Sequence, residues 1–204
     1  RSTPIKSSAA ADVYKRQGIG SGKSTVAKII AEMGYPVFSA DTVARGIYSD
    51  SEVYKKVAEY FPDCLSDTGG DRKKLAAAVF SDSAKLQLLD GITHPAIMQK
   101  LFAQMAECAG EAAFAEVPLL FECGADKDFD NVIVVMRDVS ARIDSVMRRD
   151  GLTREEVAAR IKNQYDYERN PNTGHTVLYN NGDFASLKNG VVRVVHEILG
   201  GSKS

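Results

Sequence analysis

The run Gly20-Ser21-Gly22-Lys23-Ser24-Thr25 closes the block GIGSGKST at Gly18–Thr25, and VAKIIAEM at Val26–Met33 follows it directly. The apolar residues of that second block recur at helical spacing until Gly34 stops the run. A glycine-rich turn that ends in lysine and two hydroxyl residues at a helix start has the form of a phosphate-binding loop. Glycines let successive backbone N–H groups turn inward on phosphate oxygens, and the helix N-terminus adds partial positive charge. Lys23 is then placed to reach the β- and γ-phosphates of ATP, Ser24 to put its hydroxyl on Mg²⁺, and Thr25 to contact an α-phosphate. The bland alternative is an ordinary glycine-rich turn, which gives no packing reason for a lysine followed by hydroxyl residues. The pattern has one departure: Gln17 stands five residues before Gly22, where glycine is usual. A β-carbon there is strained by roughly 1–2 kcal/mol if the site needs positive φ.

The composition narrows what surrounds this loop. With 204 residues, 44% of them hydrophobic, the chain can bury one core with inserts rather than two full domains. The 26 basic and 27 acidic residues nearly cancel, so no global field would draw in nucleic acid or a membrane surface, and any anion site must be local. Cys64, Cys108 and Cys123 are odd in number and widely spaced, which suits reduced thiols rather than a disulfide framework or zinc site. His94, His175 and His196 form no close pair among themselves or with cysteine, which argues against a histidine-based transition-metal centre. No run of about 18 apolar residues suggests a membrane span, and the N-terminus lacks the apolar core of a secretory signal. The expectation is a cytoplasmic protein.

Along the chain, Pro36–Phe38 reads as a short strand with Asp41 just beyond its carboxyl end, and Thr42–Tyr48 and Glu52–Tyr60 read as helices. A turn-rich stretch from Pro62 to Gly70 precedes three helical patterns, at Asp71–Phe80, Ser81–Asp90 and Pro95–Cys108. Ala112–Val117 and Asn131–Val135 are apolar runs of strand length, suited to a parallel sheet buried on both faces. Ser140–Arg149 and Arg154–Tyr167 are helical and rich in arginine, Thr176–Tyr179 is a last strand, and Phe184–Leu199 a closing helix. Alternating strands and helices imply an α/β fold with a mainly parallel sheet, and ligands belong at the strands' carboxyl ends.

From Gly18 to about Leu199 the chain resembles dephospho-coenzyme A kinase. The resemblance rests on GIGSGKST, SADTVAR at Ser39–Arg45, ITHPAI at Ile92–Ile97 and VPLLFE at Val117–Glu122, in that order. RRDGLTREEVAARIKNQ at Arg148–Gln164 and YNNG at Tyr179–Gly182 extend it. It implies a P-loop NTPase fold whose sheet is flanked by helices, with a helical acceptor-binding insertion at about 42–110 and a lid at about 142–165. It also implies a phosphotransferase that moves phosphate from ATP to the ribose 3′-hydroxyl of dephospho-coenzyme A, with Mg²⁺. Residues 1–17 match nothing in the family pattern, where a buried strand ends in threonine and two glycines, and read as a non-native or altered segment.

Carried over residue by residue, the resemblance makes Asp41 the acid that orients and deprotonates the acceptor hydroxyl; the alternative is a helix N-cap. It makes Arg142, Arg148 and Arg149 a phosphate-covering set, Arg149 foremost, against a reading as solvated surface charges. Ser145 stands where many relatives carry another arginine. Arg160 and Gln164, four apart on a helix, act in the lid or form a structural bridge. His94-Pro95 lies beside the acceptor or simply starts a helix; Pro118, Leu119 and Leu120 shape the acceptor pocket or belong to the core. Glu122 acts through a water or the metal; Glu116, at a strand's end, stands where nucleotide-binding folds often put a metal-associated acid, or serves at the surface or as a cap. Competing functions are a nucleoside or nucleoside monophosphate kinase of the same fold, a nucleotide switch, for which no Asn-Lys-x-Asp sequence is present, and an inactive product of the altered N-terminus. No nucleic-acid or membrane partner is expected, and the sequence is silent on oligomeric state.

Overall fold

The computed structural model describes residues 10–14, 20–66, 69–70, 72–80, 82–118, 120–121, 124–162 and 175–201. In chain order its elements are β1 Ala10–Tyr14, α1 Lys23–Glu32, β2 Val37–Ser39, α2 Ala40–Arg45, α3 Ser51–Tyr60, β3 Leu65–Ser66, β4 Gly69–Gly70, α4 Arg72–Phe80 and α5 Ser83–Ala106. There follow β5 Ala112–Glu116, β6 Asn131–Met136, α6 Val139–Asp150, α7 Arg154–Lys162, β7 Thr176–Tyr179 and α8 Phe184–Gly201. They gather into two compact units, one formed by Arg1–Phe38 with Met105–Ser204, the other by Ser39–Gln104.

The first unit is built on a five-stranded sheet in the order β2-β5-β1-β6-β7. Strands β5, β1, β6 and β7 run parallel, with Tyr14 opposite Glu116, Val13 opposite Val132 and Tyr179 opposite Met136. The central strand is therefore Ala10–Tyr14, from a segment whose side-chain pattern hardly announces a strand. A backbone ladder on both sides holds it there, and such a ladder needs no side-chain alternation. Four consecutive residues are buried in each of β5 and β6, so both faces of the sheet are covered. Val26, Ile29 and Ile30 of α1 pack with Val191, Val194 and Val195 of α8 over Phe114, Ile133 and Val135. Each of the three α1 side chains contributes about 1.5–3 kcal/mol by burial, and together they seat the start of α1 on the sheet.

The second unit has its own core, in which Ile47, Val53, Val57, Phe61, Leu75, Val79 and Leu89 meet. The starts of α2, α3 and α5 are capped by side chains, which satisfy amides that a helix start leaves open. Ser39 accepts from the Thr42 amide at 3.4 Å, Asp50 from the Glu52 and Val53 amides at 3.0 and 3.3 Å, and Asp82 from those of Ala84 and Lys85, both at 3.1 Å. Asp50 also pairs with Lys100 at 3.0 Å. The hydrogen bond to Lys100, with that of the Val53 amide, holds its carboxyl below the usual carboxylate range.

Two sequence expectations change here. The helix expected over Thr42–Tyr48 ends at Arg45; Gly46 breaks it, and Ile47–Ser49 continues as a 3-10 turn. The two helices expected at Ser81–Asp90 and Pro95–Cys108 are one, α5, which begins after the Asp82 cap and passes through Pro95. Pro95 is thus not a helix starter. The Thr93 hydroxyl donates to the Leu89 carbonyl at 2.9 Å, beside the interruption that the proline makes in the helix ladder. The helix expected over Arg154–Tyr167 is described as far as Lys162; its remainder lies outside the described residues. Cys64 and Cys108 form no disulfide, and Cys123 lies outside the described residues. No described helix is long and apolar enough to cross a membrane.

Candidate active site

Helix α1, like α6, starts without a side-chain cap. Its N-cap is Gly22, with φ 97° and ψ 18°, and its first turn holds no acid. The amide-rich, electropositive end of the helix is left for a ligand anion. The two glycines of the loop are required by their surroundings. Gly20 has φ 86°, and a β-carbon on it would lie 2.6 Å from the Arg142 carbonyl oxygen and 2.9 Å from a Val146 methyl group. Gly22 has φ 97°, and a β-carbon there would collide with the Asn180 amide nitrogen. Gly22→Ala is expected to add about 1–2 kcal/mol of backbone strain and to displace Asn180. Nucleotide affinity then falls by about ten-fold or more, as isothermal titration with Mg-ATP would measure; unchanged affinity would show that the loop tolerates a side chain there. Gln17 and Gly18 lie outside the described residues.

Lys23 is the first residue of α1 and half-buried. Ser24 donates its hydroxyl hydrogen to Glu116 Oε1 at 3.1 Å. Glu116 ends β5, so the strand's carboxyl end delivers a carboxylate to the hydroxyl that follows the loop lysine. A hydroxyl and a carboxylate are hard oxygen ligands of the kind Mg²⁺ takes alongside phosphate oxygens and water. Among the described residues no three histidine, cysteine or acidic side chains gather into a cage, and a Mg²⁺ carried by a polyphosphate needs none. Glu122 lies outside the described residues.

Two further side chains reach the loop from the ends of β6 and β7. Arg137 Nη1 donates to the Gly20 carbonyl at 3.3 Å, and Asn180 Nδ2 to the Ser21 carbonyl at 2.8 Å. Asn180 is buried. Sequence reading noted Asn180 only within YNNG and missed Arg137. The available signal was a charged residue directly after a buried apolar strand, at the carboxyl end where this fold class binds ligands.

Of the expected lid residues, Arg149 forms a fork with its neighbour Asp150, through Nε at 2.7 Å and Nη2 at 2.9 Å. This pairing raises the guanidinium pKa above its ordinary value. With 62% of its side chain exposed, Arg149 must leave Asp150 to meet a phosphate. Arg148 is exposed and Arg142 half-buried; the backbone of Arg142 is what crowds Gly20. The start of α7 is a capping box, Thr153 N to Glu156 Oε2 at 2.8 Å and Glu156 N to Thr153 Oγ1 at 3.3 Å. The side chain of Arg160, and Gln164 as a whole, lie outside what is described. Pro118 is half-buried in a turn, Leu119 lies outside the described residues, and Leu120 is fully buried. Leu120 is therefore a packing residue that would shape a pocket only from behind.

In the second unit Asp41 sits in the first turn of α2 and is exposed. It is not the N-cap; Ser39 is, because Ser39 has the extended backbone that a cap needs. Asp41 has no hydrogen-bond or ion-pair partner among the described residues. His94 pairs with Asp90 one helical turn earlier, Nε2 to Oδ1 at 3.4 Å. Pro95 lines an open groove of about 820 Å³ between α3 and α5, whose rim carries Asp50, Lys56, Tyr60 and Lys100.

Comparison with known proteins converges on one family. The pattern of Dephospho-CoA kinase matches residues 16–186. The chain belongs to the dephospho-CoA kinase family. A Dephospho-CoA kinase of Thermus thermophilus is 35% identical over 185 residues, 91% of this chain and 90% of the relative. That of Chlorobaculum tepidum is 37% identical over 192 residues, 89% and 92% of the two chains. A solved structure from Thermus thermophilus superimposes with a TM-score of 0.78 at 32% identity, covering 93% of this chain and 98% of its own. The family's P-loop kinase fold is thus the fold of this chain: a mainly parallel sheet whose glycine-rich loop opens α1, with Glu116 beside its serine.

Proposed function

We propose that the chain transfers the γ-phosphoryl group of ATP to the ribose 3′-hydroxyl of dephospho-CoA, giving ADP and coenzyme A in the last step of coenzyme A biosynthesis. The observation that carries this reading is the family match over residues 16–186, joined to a helix start without a side-chain cap that presents Lys23 and Ser24. Kinase chemistry of this kind is mostly positioning and charge stabilisation. Lys23 binds the β- and γ-phosphates and follows the charge that moves to the bridging oxygen. Gly20, Ser21 and Gly22 offer backbone amides, Ser24 and Thr25 hydroxyls. Mg²⁺, when bound with ATP, neutralises phosphate charge, and Ser24 and Glu116 are the residues that would hold it. Asp41 orients the acceptor hydroxyl and takes its proton late, as a loose transition state permits. His94 and Pro118 contribute to acceptor binding. Arg149, on leaving Asp150, neutralises charge on the transferred group together with Arg142 and Arg148.

A coupled ADP-release assay with Mg-ATP tests this, comparing dephospho-CoA with adenosine, AMP and no acceptor. It is run on the chain as it stands and on Gln17→Gly, since Gln17 replaces a glycine of the usual loop pattern. Turnover is expected with dephospho-CoA alone. Turnover with adenosine or AMP instead would move the chain to another acceptor class, and ADP release without acceptor would make it a nucleotide hydrolase.

A further inference from the structure

Resting on the reading of Gly20–Thr25 as the ATP phosphate loop, we infer that Arg137 and Asn180 are positioning residues that hold this loop in its anion-binding form by pinning two successive carbonyls on its outer side. The peptide bond is planar and trans, so its C=O and N–H point in opposite directions, and the described chain contains no cis peptide. The Gly20 carbonyl shares a peptide with the Ser21 amide, and the Ser21 carbonyl shares one with the Gly22 amide. Arg137 Nη1 holds the first carbonyl at 3.3 Å and Asn180 Nδ2 the second at 2.8 Å. Each bond therefore turns the paired amide away from the supporting side chain. Without them, either peptide can flip and present an oxygen to the phosphates, which repels where the amide attracts.

The two donors come from one braced support. Asn181 Oδ1 accepts from the Asp138 amide at 2.9 Å, and Asn181 Nδ2 donates to Asp138 Oδ1 at 2.8 Å. The Asn180 amide donates to the Met136 carbonyl at 2.7 Å. The turns after β6 and β7 are thereby tied together immediately beside Arg137 and Asn180. Asn180 also fills the space over Gly22 where a side chain would otherwise lie. Among the described residues Arg137 Nε is buried without a hydrogen-bond partner. A buried open donor on a cation is a poor choice for stability alone, whereas a fixed positive charge behind a polyphosphate loop lowers the electrostatic penalty of gathering phosphate oxygens there.

The test is Mg-ATP affinity, by isothermal titration, of Arg137→Met, Arg137→Lys, Asn180→Ala and Asn180→Asp, with dephospho-CoA turnover measured in parallel. Binding reads the positioning and acceptor-dependent turnover reads the function, so failure of the acceptor assignment leaves the positioning result intact. Arg137→Met and Asn180→Ala are expected to weaken ATP binding by about ten-fold, to raise the KM for ATP and to leave the KM for the acceptor within about two-fold. Arg137→Lys should recover part of the loss. Asn180→Asp sets a carboxylate oxygen against the Ser21 carbonyl and should be worse than Asn180→Ala at neutral pH. As pH falls towards about 4–5 the introduced carboxyl protonates and becomes a donor. Its affinity, taken as a ratio to the unaltered chain at the same pH, should then rise past that of Asn180→Ala, which a merely structural role would not produce. ATP affinity within two-fold of the unaltered chain in folded Arg137→Met and Asn180→Ala, or no crossing of the two Asn180 variants with pH, would overturn the proposal. If either truncation fails to fold, Arg137→Lys and Asn180→Asp decide it by the same two criteria.

Discussion

Lys23→Met lowers kcat/KM for ATP by about 10²–10³-fold or more, the scale seen when one preorganised donor to transition-state charge is removed. The reason is the place of the ammonium group. Lys23 opens α1 next to Gly22, where the helix has neither a capping side chain nor an acid in its first turn. It is the one cation of the loop GIGSGKST. Methionine keeps the length and the apolar stem and removes the charge. The hydrophobic seat of α1, formed by Val26, Ile29 and Ile30, is untouched, so the thermal midpoint should stay within a few degrees. Steady-state kinetics with varied Mg-ATP at saturating dephospho-CoA, beside a melting curve, makes the check. A loss below ten-fold in a folded variant would mean that other groups carry the phosphate charge.

Asp41→Asn acts on the other substrate. Turnover is expected to fall by about 10²–10⁴-fold, the usual contribution of a positioned acid or base, while ATP affinity changes by less than about two-fold. Asparagine preserves size and one acceptor oxygen but takes a proton from nothing at neutral pH. The substitution is structurally mild because Ser39, not Asp41, caps α2, and Asp41 is exposed. Titration with Mg-ATP separates the effects. A parallel loss of nucleotide binding would assign Asp41 to the donor side, and wild-type turnover would remove it from the reaction.

Much of this was legible along the chain. The loop and helix at Gly20–Met33 show themselves because a glycine pair, a lysine and hydroxyl residues sit next to one another in sequence, and the phosphate cradle is local. The strands at 112–116 and 131–136 show themselves because burial on both faces demands continuous apolar runs. The acceptor assignment came from matching blocks, since no local pattern encodes coenzyme A.

Other features are set by partners far apart in sequence. Ala10–Tyr14 becomes the central strand through backbone pairing with β5 and β6, and such pairing leaves little trace in side-chain order. Pro95 lies inside α5 although proline usually marks a boundary, because the Asp82 cap supplies the helix start well before it. Leu120 belongs to the core, a point its neighbours Pro118 and Leu119 do not reveal. The contacts Ser24–Glu116, Arg137–Gly20 and Asn180–Ser21 span 92, 117 and 159 residues. The sequence by itself singled out the loop that we propose binds phosphate, because that chemistry is built from consecutive residues. Only the tertiary structure decided which side chains hold the loop in shape, because a backbone carbonyl accepts from any donor that the packed strands bring within hydrogen-bond reach.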